Sequence, residues 1–250
     1  MSSPVALGSR YERYALIYDH DRSRLGHEAL GLVERGIDAL YASDPDEAHL
    51  LALQESGRIG ALVVQGSLAV DELDTLLERI GPQLWAGPAS VVVVGPPTDR
   101  GALRALQDRS LSWALREPYD AAEFRFVVSA ALATDDKLEP RSGLRVPVSL
   151  PIGLTADGAA RAGVVRNLSV GGAYVALAPP IAPGVAIELS LGIGDHRIAT
   201  GATVVYAQSD DVSGRAVQEP GMGIAFRGLG SSDHGVLEGF IRERTQSFRL

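Results

Sequence analysis

The sequence contains no cysteine, which excludes disulfides and thiolate metal sites. It has no apolar run long enough to cross a bilayer, and its first residues lack the basic start and apolar core of a secretory signal. The histidines show no metal-ligand spacing, and neither a phosphate-loop lysine motif nor a nucleophile elbow is present. We therefore expect a cytoplasmic protein without membrane insertion, metal or catalytic residues.

Positive charge is also scarce, since the net charge is −8. An acidic chain is poorly suited to bulk nucleic-acid binding, so we expect no nucleic-acid partner. Any phosphate-containing ligand has to meet locally placed arginines and not a broad positive field. The 250 residues are enough for two ordinary domains, and 46% hydrophobic with 22% charged residues is typical of globular proteins.

The first half of the chain alternates apolar runs with amphipathic segments. The runs lie at 14–18, 39–41, 61–65, 91–94 and 111–115. The segments between and after them carry apolar residues at helical spacing, such as Leu25, Ala29, Leu32 and Val33 on one expected inner face. Five strands alternating with five helices predict an α/β fold with a doubly wound, five-stranded parallel sheet covered on both faces.

This order of elements resembles a response-regulator receiver domain. The likeness rests on the pattern, on the acidic end of the first strand at Asp19 and Asp21, and on residues 115–120, Leu-Arg-Glu-Pro-Tyr-Asp, after the fifth strand. It implies a site at the carboxyl ends of the strands.

The chemistry of that family requires residues that this chain has replaced. Gln65 stands where an aspartate would accept phosphate, and an amide cannot form the acyl phosphate. Glu117 stands at the lysine position and Gly95 at the hydroxyl position. Two remaining aspartates are a poor magnesium cage. We therefore predict a pseudo-receiver with Gln65 at the degenerate phosphoacceptor position.

In the second half, short strand-like segments follow one another at short spacing with turns between them, which favours an antiparallel β-barrel. A polar segment ending in proline, 134–140, marks the boundary, so we place domains at 1–133 and 141–250 with a linker between them. Six short strands are expected at 146–154, 161–167, 172–178, 184–191, 197–207 and 221–227. Ser231, Ser232 and Asp233 then predict the start of a terminal helix, with Leu237, Phe240 and Ile241 on one face.

Two short motifs at the start of this region favour an anionic, planar ligand. Arg141 and Arg145 are followed by Asn167, Ser169 and Gly172 in an Asn-x-Ser-x-x-Gly turn. An arginine fork donates several hydrogen bonds, stacks on flat rings and matches the O6/N7 edge of guanine. Asparagine and serine add a donor, acceptors and a hydroxyl, and a glycine permits close approach of the backbone.

The two motifs in this order resemble those of the PilZ domain, a small β-barrel that receives the bacterial second messenger cyclic di-GMP. The likeness covers roughly residues 138–245, including a closing strand at 221–226. It implies that Arg141 and Arg145 grip guanine edges and phosphates. It also implies that Asn167 and Ser169 contact the nucleotide and that Gly172 leaves room for it.

These observations lead to a function and two alternatives. We expect a non-enzymatic cyclic di-GMP effector without a further cofactor. It would couple the messenger to a protein partner, in motility, secretion or polysaccharide control, through the pseudo-receiver or barrel surface, with a homodimer possible. The first alternative is a ligand-independent PilZ-fold adaptor that acts only through protein partners. The second, an aspartyl-phosphate response regulator, requires phosphotransfer to a residue other than Gln65.

Overall fold

The computed structural model describes residues 13–22, 25–83, 90–96, 112–133, 144–209 and 219–249. The chain divides into two compact units. The N-terminal unit spans Met1–Asp136 together with Phe248–Leu250, and the C-terminal unit spans Lys137–Ser247.

The N-terminal unit contains a parallel sheet in the order β2-β1-β3-β4-β5. This is one of the common doubly wound orders, in which ligands bind at the carboxyl ends of the strands. The predicted receiver-like architecture is therefore confirmed. The strands are β1 Tyr14–Tyr18, β2 Ala39–Ala42, β3 Ile59–Gln65, β4 Ser90–Val94 and β5 Ser112–Leu115.

Burial explains why these segments form the sheet. Nearly every residue of β1, β3 and β4 is buried, because helices cover both faces of the sheet. The described helices of this unit are α1 Leu25–Val33, α2 Pro45–Gln54, α3 Val70–Ile80, which continues into a 3-10 turn at Gly81–Gln83, and α4 Ala121–Leu132. The helix expected around Leu103 and Leu106 lies outside the described residues.

One sequence expectation about α1 is wrong. Leu25, Ala29 and Leu32 are buried as predicted, but Val33 is 53% exposed. The helix ends at Val33, and the chain turns at Gly36, which has a φ of 75°. At about 100° per residue, Val33 lies at the edge of the stripe formed by Leu25, Ala29 and Leu32, so burial of that stripe leaves Val33 accessible.

The C-terminal unit is a closed antiparallel barrel in the order β10-β11-β8-β7-β6-β9, closed by pairing of β10 with β9. The predicted six-stranded barrel with a terminal helix is therefore confirmed. The strands are β6 Val146–Ala156, β7 Ala159–Ser169, β8 Gly172–Ala176, β9 Ala186–Ile193, β10 His196–Gln208 and β11 Gly221–Arg227, and the helix is α5 Ser231–Gln246.

Alternation along the strands fills the barrel. In β9 the buried residues are Ile187, Leu189, Leu191 and Ile193, and each residue between them is at least partly accessible. Side chains of a strand point alternately to its two faces, so a period of two places one apolar set inside.

Helix α5 packs on the same barrel through buried Leu237 and Ile241. Two polar contacts fix its ends. His196 Nε2 lies 2.7 Å from Asp233 Oδ1, and Arg244 Nε donates to the Pro147 carbonyl oxygen over 3.2 Å. The second contact ties the helix to the start of β6. Within the described ranges, no helix has the length and apolar character needed to cross a membrane.

Candidate functional site

The position of Arg145 follows from a tight hairpin. Strands β6 and β7 are joined by Asp157 and Gly158, both with positive φ (48° and 77°), the conformation required in a two-residue turn between antiparallel strands. The two strands pair from this turn onward with one register shift, between Pro147 and Leu150, and Val146 lies opposite Leu168. The exposed Arg145, just before β6, therefore lies at the same end of the hairpin as Asn167 and Ser169.

The structure thus brings together four of the five predicted ligand residues, Arg145, Asn167, Ser169 and Gly172. Arg141 lies outside the described residues. Within the part of the chain that the structure describes, the Arg145 guanidinium makes no hydrogen bond or ion pair.

Asn167 has a polar atom that the fold leaves incomplete. Its Oδ1 is buried and has no hydrogen-bond partner among the described residues. Buried acceptors are nearly always hydrogen-bonded, because an unsatisfied one costs the desolvation of that group. A donor from a ligand or from a residue outside the described ranges would complete it.

Ser169 and Gly172 have well-defined partners within the barrel. Ser169 is buried, and its Oγ donates to the Gly172 carbonyl oxygen over 3.0 Å, which holds the turn between β7 and β8. A Cβ on Gly172 would lie 2.1 Å from the Ile224 carbonyl oxygen of β11. The glycine is therefore required by close strand packing.

An irregularity next to Asn167 gives Arg166 a partner that the sequence did not indicate. The register of β7 with β8 shifts between Val165 and Asn167, so Arg166 lies in a bulge. Its Nε and Nη2 donate to Glu219 Oε2 and Oε1 over 2.7 and 3.1 Å. Both side chains stay about half exposed, so this is a surface ion pair. The hydrogen bonds from Arg166 hold the pKa of the Glu219 carboxyl below its ordinary value.

Two tyrosines stack on each other in the strands beside Asn167, and Tyr174 of this pair is fully buried. Tyr174 pairs with Asn167 across β7 and β8, its hydroxyl donates to the Glu219 carbonyl oxygen, and its ring stacks on Tyr206 at 6.3 Å. Burial raises the pKa of Tyr174. Tyr206 lies on β10 and its ring covers Gly223, so a larger residue there would displace it. Sequence reasoning did not assign Tyr206 or Glu219 to the site, because neither belongs to a spaced motif.

The carboxyl edge of the parallel sheet brings Asp19 and Gln65 to neighbouring strand ends. Asp19 is fully buried and its Oδ2 accepts a hydrogen bond from the Tyr41 hydroxyl at 3.2 Å. Burial raises the pKa of Tyr41, and the negative Asp19 adds to the effect. Gln65 ends β3, and its Oε1 is buried without a hydrogen-bond partner in the described ranges. Over the same ranges, no three carboxylate or histidine side chains are grouped as metal ligands.

Comparison with protein families gives one match. The family model described as PilZ domain matches residues 139–243. The predicted resemblance of this region is thereby confirmed. A search of curated proteins found no significant match.

Solved structures similar in fold match the two halves separately. An inhibitor of motility from Bacillus subtilis (MotI/DgrA) is 18% identical with a TM-score of 0.38 over 42% of this chain and 51% of that chain, so the match spans about half its length. The PilZ domain of Escherichia coli YcgR, solved with c-di-GMP, is 14% identical with a TM-score of 0.34 over 41% and 89% of the two chains. A response regulator receiver protein from Pseudomonas putida is 25% identical with a TM-score of 0.37 over 47% and 96%.

Proposed function

We propose that this chain is a non-enzymatic cyclic di-GMP receptor whose barrel binds the nucleotide through Arg141, Arg145, Asn167, Ser169 and Gly172. The observation that carries the proposal is the juxtaposition of Arg145 with the Asn-x-Ser-x-x-Gly turn, in a region that matches the PilZ domain family. Cyclic di-GMP offers two phosphates and two guanines, which suit arginine forks and an amide.

The residues of the barrel fit this ligand in different ways. Arg145 is exposed and supplies a charged donor, and the buried Oδ1 of Asn167 can accept a hydrogen bond from a guanine N–H. Ser169 holds the turn through Gly172, and its oxygen keeps lone pairs that can accept a further bond. Arg141 precedes the first strand of the barrel, four residues before Arg145, and would supply a second charged donor to the nucleotide.

The site is tested by calorimetric titration of the full chain with cyclic di-GMP, alongside Arg141→Ala and Arg145→Ala. Each charge-assisted hydrogen bond contributes about 1.5–3 kcal/mol, so each substitution should weaken binding by at least about tenfold. Arg197→Ala is the matched control, because Arg197 is an exposed arginine of the same barrel, on β10, and belongs to neither motif. A folded natural chain that releases no heat with cyclic di-GMP would contradict the proposal.

We further propose that binding of the messenger changes how the protein docks on a partner in motility, secretion or polysaccharide control. The N-terminal unit offers exposed apolar side chains for such contacts: Leu30 on α1 is 63% exposed, and Leu50 on α2 is 59% exposed. Gln65 at the phosphoacceptor position favours a docking role for this unit over phosphotransfer, because an amide cannot carry an acyl phosphate.

The same apolar side chains are compatible with the alternative of a ligand-independent adaptor. The two functions differ in the role of Arg145. Partner capture by the natural chain should change on addition of cyclic di-GMP if the protein is a receptor, and this change should disappear in Arg145→Ala. An adaptor would capture the partner equally in all four conditions, which are the natural chain and Arg145→Ala, each with and without cyclic di-GMP.

A further inference from the structure

Phe248 and Arg249 extend the parallel sheet of the N-terminal unit, to which they belong. Arg249 forms an antiparallel bridge with Trp113 of β5, and the Ala114 amide donates to the Phe248 carbonyl oxygen over 2.8 Å. β5 is the last strand in the order of the described sheet, so its outer side is an edge. An edge strand presents backbone groups that can pair with an added extended segment.

The side chains of the two residues have specific partners on the sheet and on α4. Phe248 is 4% exposed, and its ring lies 5.2 Å from that of Phe126. The Arg249 guanidinium lies over the Trp113 ring, 3.9 Å from its centroid. Trp113 in turn packs edge-on against Phe126 at 6.5 Å. One aromatic pocket therefore accepts the phenylalanine, and one indole face accepts the cation.

We propose that the outer edge of β5 is a recognition site for an extended, antiparallel peptide in which phenylalanine is followed by arginine, and that Phe248 and Arg249 occupy it in this chain. Backbone pairing with the strand sets the direction of the peptide, and side-chain pockets set its sequence preference. The indole face selects a cation, and arginine is the cation that stacks most often on aromatic rings. The proposal does not depend on nucleotide binding by the barrel.

The test uses the full chain carrying Phe248→Ala and Arg249→Ala together, which leaves the edge free of its own side-chain anchors. Trp85→Phe is added to every chain so that Trp113 is the single tryptophan, whose emission is excited at a wavelength that tyrosine does not absorb. A synthetic peptide of residues 244–250 is titrated into this variant, and Trp113 emission and hydrogen exchange of the Ala114 amide are recorded. We expect faster exchange at Ala114 in the variant and recovery of protection when the peptide binds.

Two controls define the specificity. The same peptide with both residues replaced by alanine should bind at least about tenfold more weakly, because it lacks the aromatic packing and the cation–π contact. A chain with Arg242→Ala, an exposed arginine of α5, should behave as the natural chain, whose own segment competes with the peptide.

The proposal is overturned if the natural peptide binds no better than the alanine peptide, or if Ala114 exchanges equally in the natural chain and the double variant. Circular dichroism of the double variant establishes that it is folded before either comparison. The same variant is also titrated with cyclic di-GMP. If the protein is a nucleotide receptor, the variant should still bind cyclic di-GMP whether or not it binds the peptide, so the two proposals can fail independently.

Discussion

At Gly172 a position of the proposed ligand motif is also a packing requirement of the barrel. A Cβ there would lie 2.1 Å from the Ile224 carbonyl oxygen, which is backbone and cannot swing aside. The hydroxyl of Ser169 donates to the carbonyl of the same glycine. The end of the Asn-x-Ser-x-x-Gly motif thus holds β7, β8 and β11 together.

Gly172→Ala should therefore destabilise the barrel even without ligand. Forcing a methyl group against fixed backbone typically costs about 1–3 kcal/mol in free energy of unfolding. The measurement is urea denaturation followed by circular dichroism. Gly192→Ala, where a Cβ would meet no atom within 4 Å, is the control and should leave stability nearly unchanged. Equal losses in the two variants would contradict a specific packing role.

The ion pair of Arg166 with Glu219 predicts a pH dependence. The lowered pKa of Glu219 means that the native state favours the carboxylate, so the pair contributes fully above the ordinary glutamate pKa of about 4.3. This contribution disappears as the pH falls through the lowered pKa. Because the two side chains are each about half exposed, Glu219→Gln should lower the free energy of unfolding by only about 0.2–1 kcal/mol at pH 7.

Denaturation of Glu219→Gln and of the natural chain at a series of pH values measures this difference. The two curves of stability against pH should converge below the lowered pKa, where the carboxyl group is protonated in both states. Glu238→Gln on α5 serves as a control that removes a carboxylate with no recorded ion pair in the described chain. A difference that grows towards acid pH would have the wrong sign for the proposed cause.

At the scale of elements, the helices of the N-terminal unit begin in different ways. α4 has a complete capping box: Asp120 Oδ1 accepts from the Ala122 and Glu123 amides at 2.8 Å each, and Glu123 Oε2 accepts from the Asp120 amide at 3.1 Å. α3 begins at Val70, and the residue before it, Ala69, provides no side-chain cap, so its position relies on the burial of Leu73, Leu76 and Ile80. The start of α4 is therefore specified by its own sequence, as is that of α2, where Asp44 accepts from the Asp46 and Glu47 amides.

Asp120→Ala should lower the free energy of unfolding of the N-terminal unit by about 1 kcal/mol, because two helix amides lose their acceptor. Asp120→Asn should retain most of the stability, since an asparagine oxygen caps almost as well. Trp113 packs against Phe126 of this helix, so its fluorescence during urea denaturation reports the change. A loss as large in the asparagine variant would point to charge and not to capping.

At the scale of the whole molecule, the two units differ in their tryptophan content. Both tryptophans, Trp85 and Trp113, fall in Met1–Asp136, and Lys137–Ser247 contains none. Each unit has its own buried core, the sheet in one and the barrel interior in the other. Tryptophan fluorescence therefore follows the N-terminal unit, whereas the heat absorbed on unfolding reports both.

If the barrel binds cyclic di-GMP, the nucleotide should act on one unit. At a free concentration about 100 times the dissociation constant it should stabilise the barrel by about 2.7 kcal/mol. Scanning calorimetry should then show one transition shifted upward while the tryptophan transition stays in place, and Arg145→Ala should remove the shift. One shared transition that moves as a whole would show that the two units unfold together.

The sequence by itself determined the fold class and the approximate strand positions. It could do so because local period reports burial: the near-continuous runs of β3 and β4 indicate strands covered on both faces, and the alternation in β9 indicates a barrel wall. The Asp157–Gly158 pair, with its two positive φ angles, likewise encodes a turn within a few residues.

Only the tertiary structure decided which distant groups meet. Four features could not be predicted from the neighbouring sequence. They are the bulge that places Arg166 beside Glu219, the exposure of Val33, the ring of Tyr206 over Gly223, and the pairing of Phe248 and Arg249 with β5. Each depends on a contact between segments that are far apart in the chain. Such contacts depend on the shapes and backbone groups that folding brings to one surface. The spacing of apolar residues within a single segment carries no information about them.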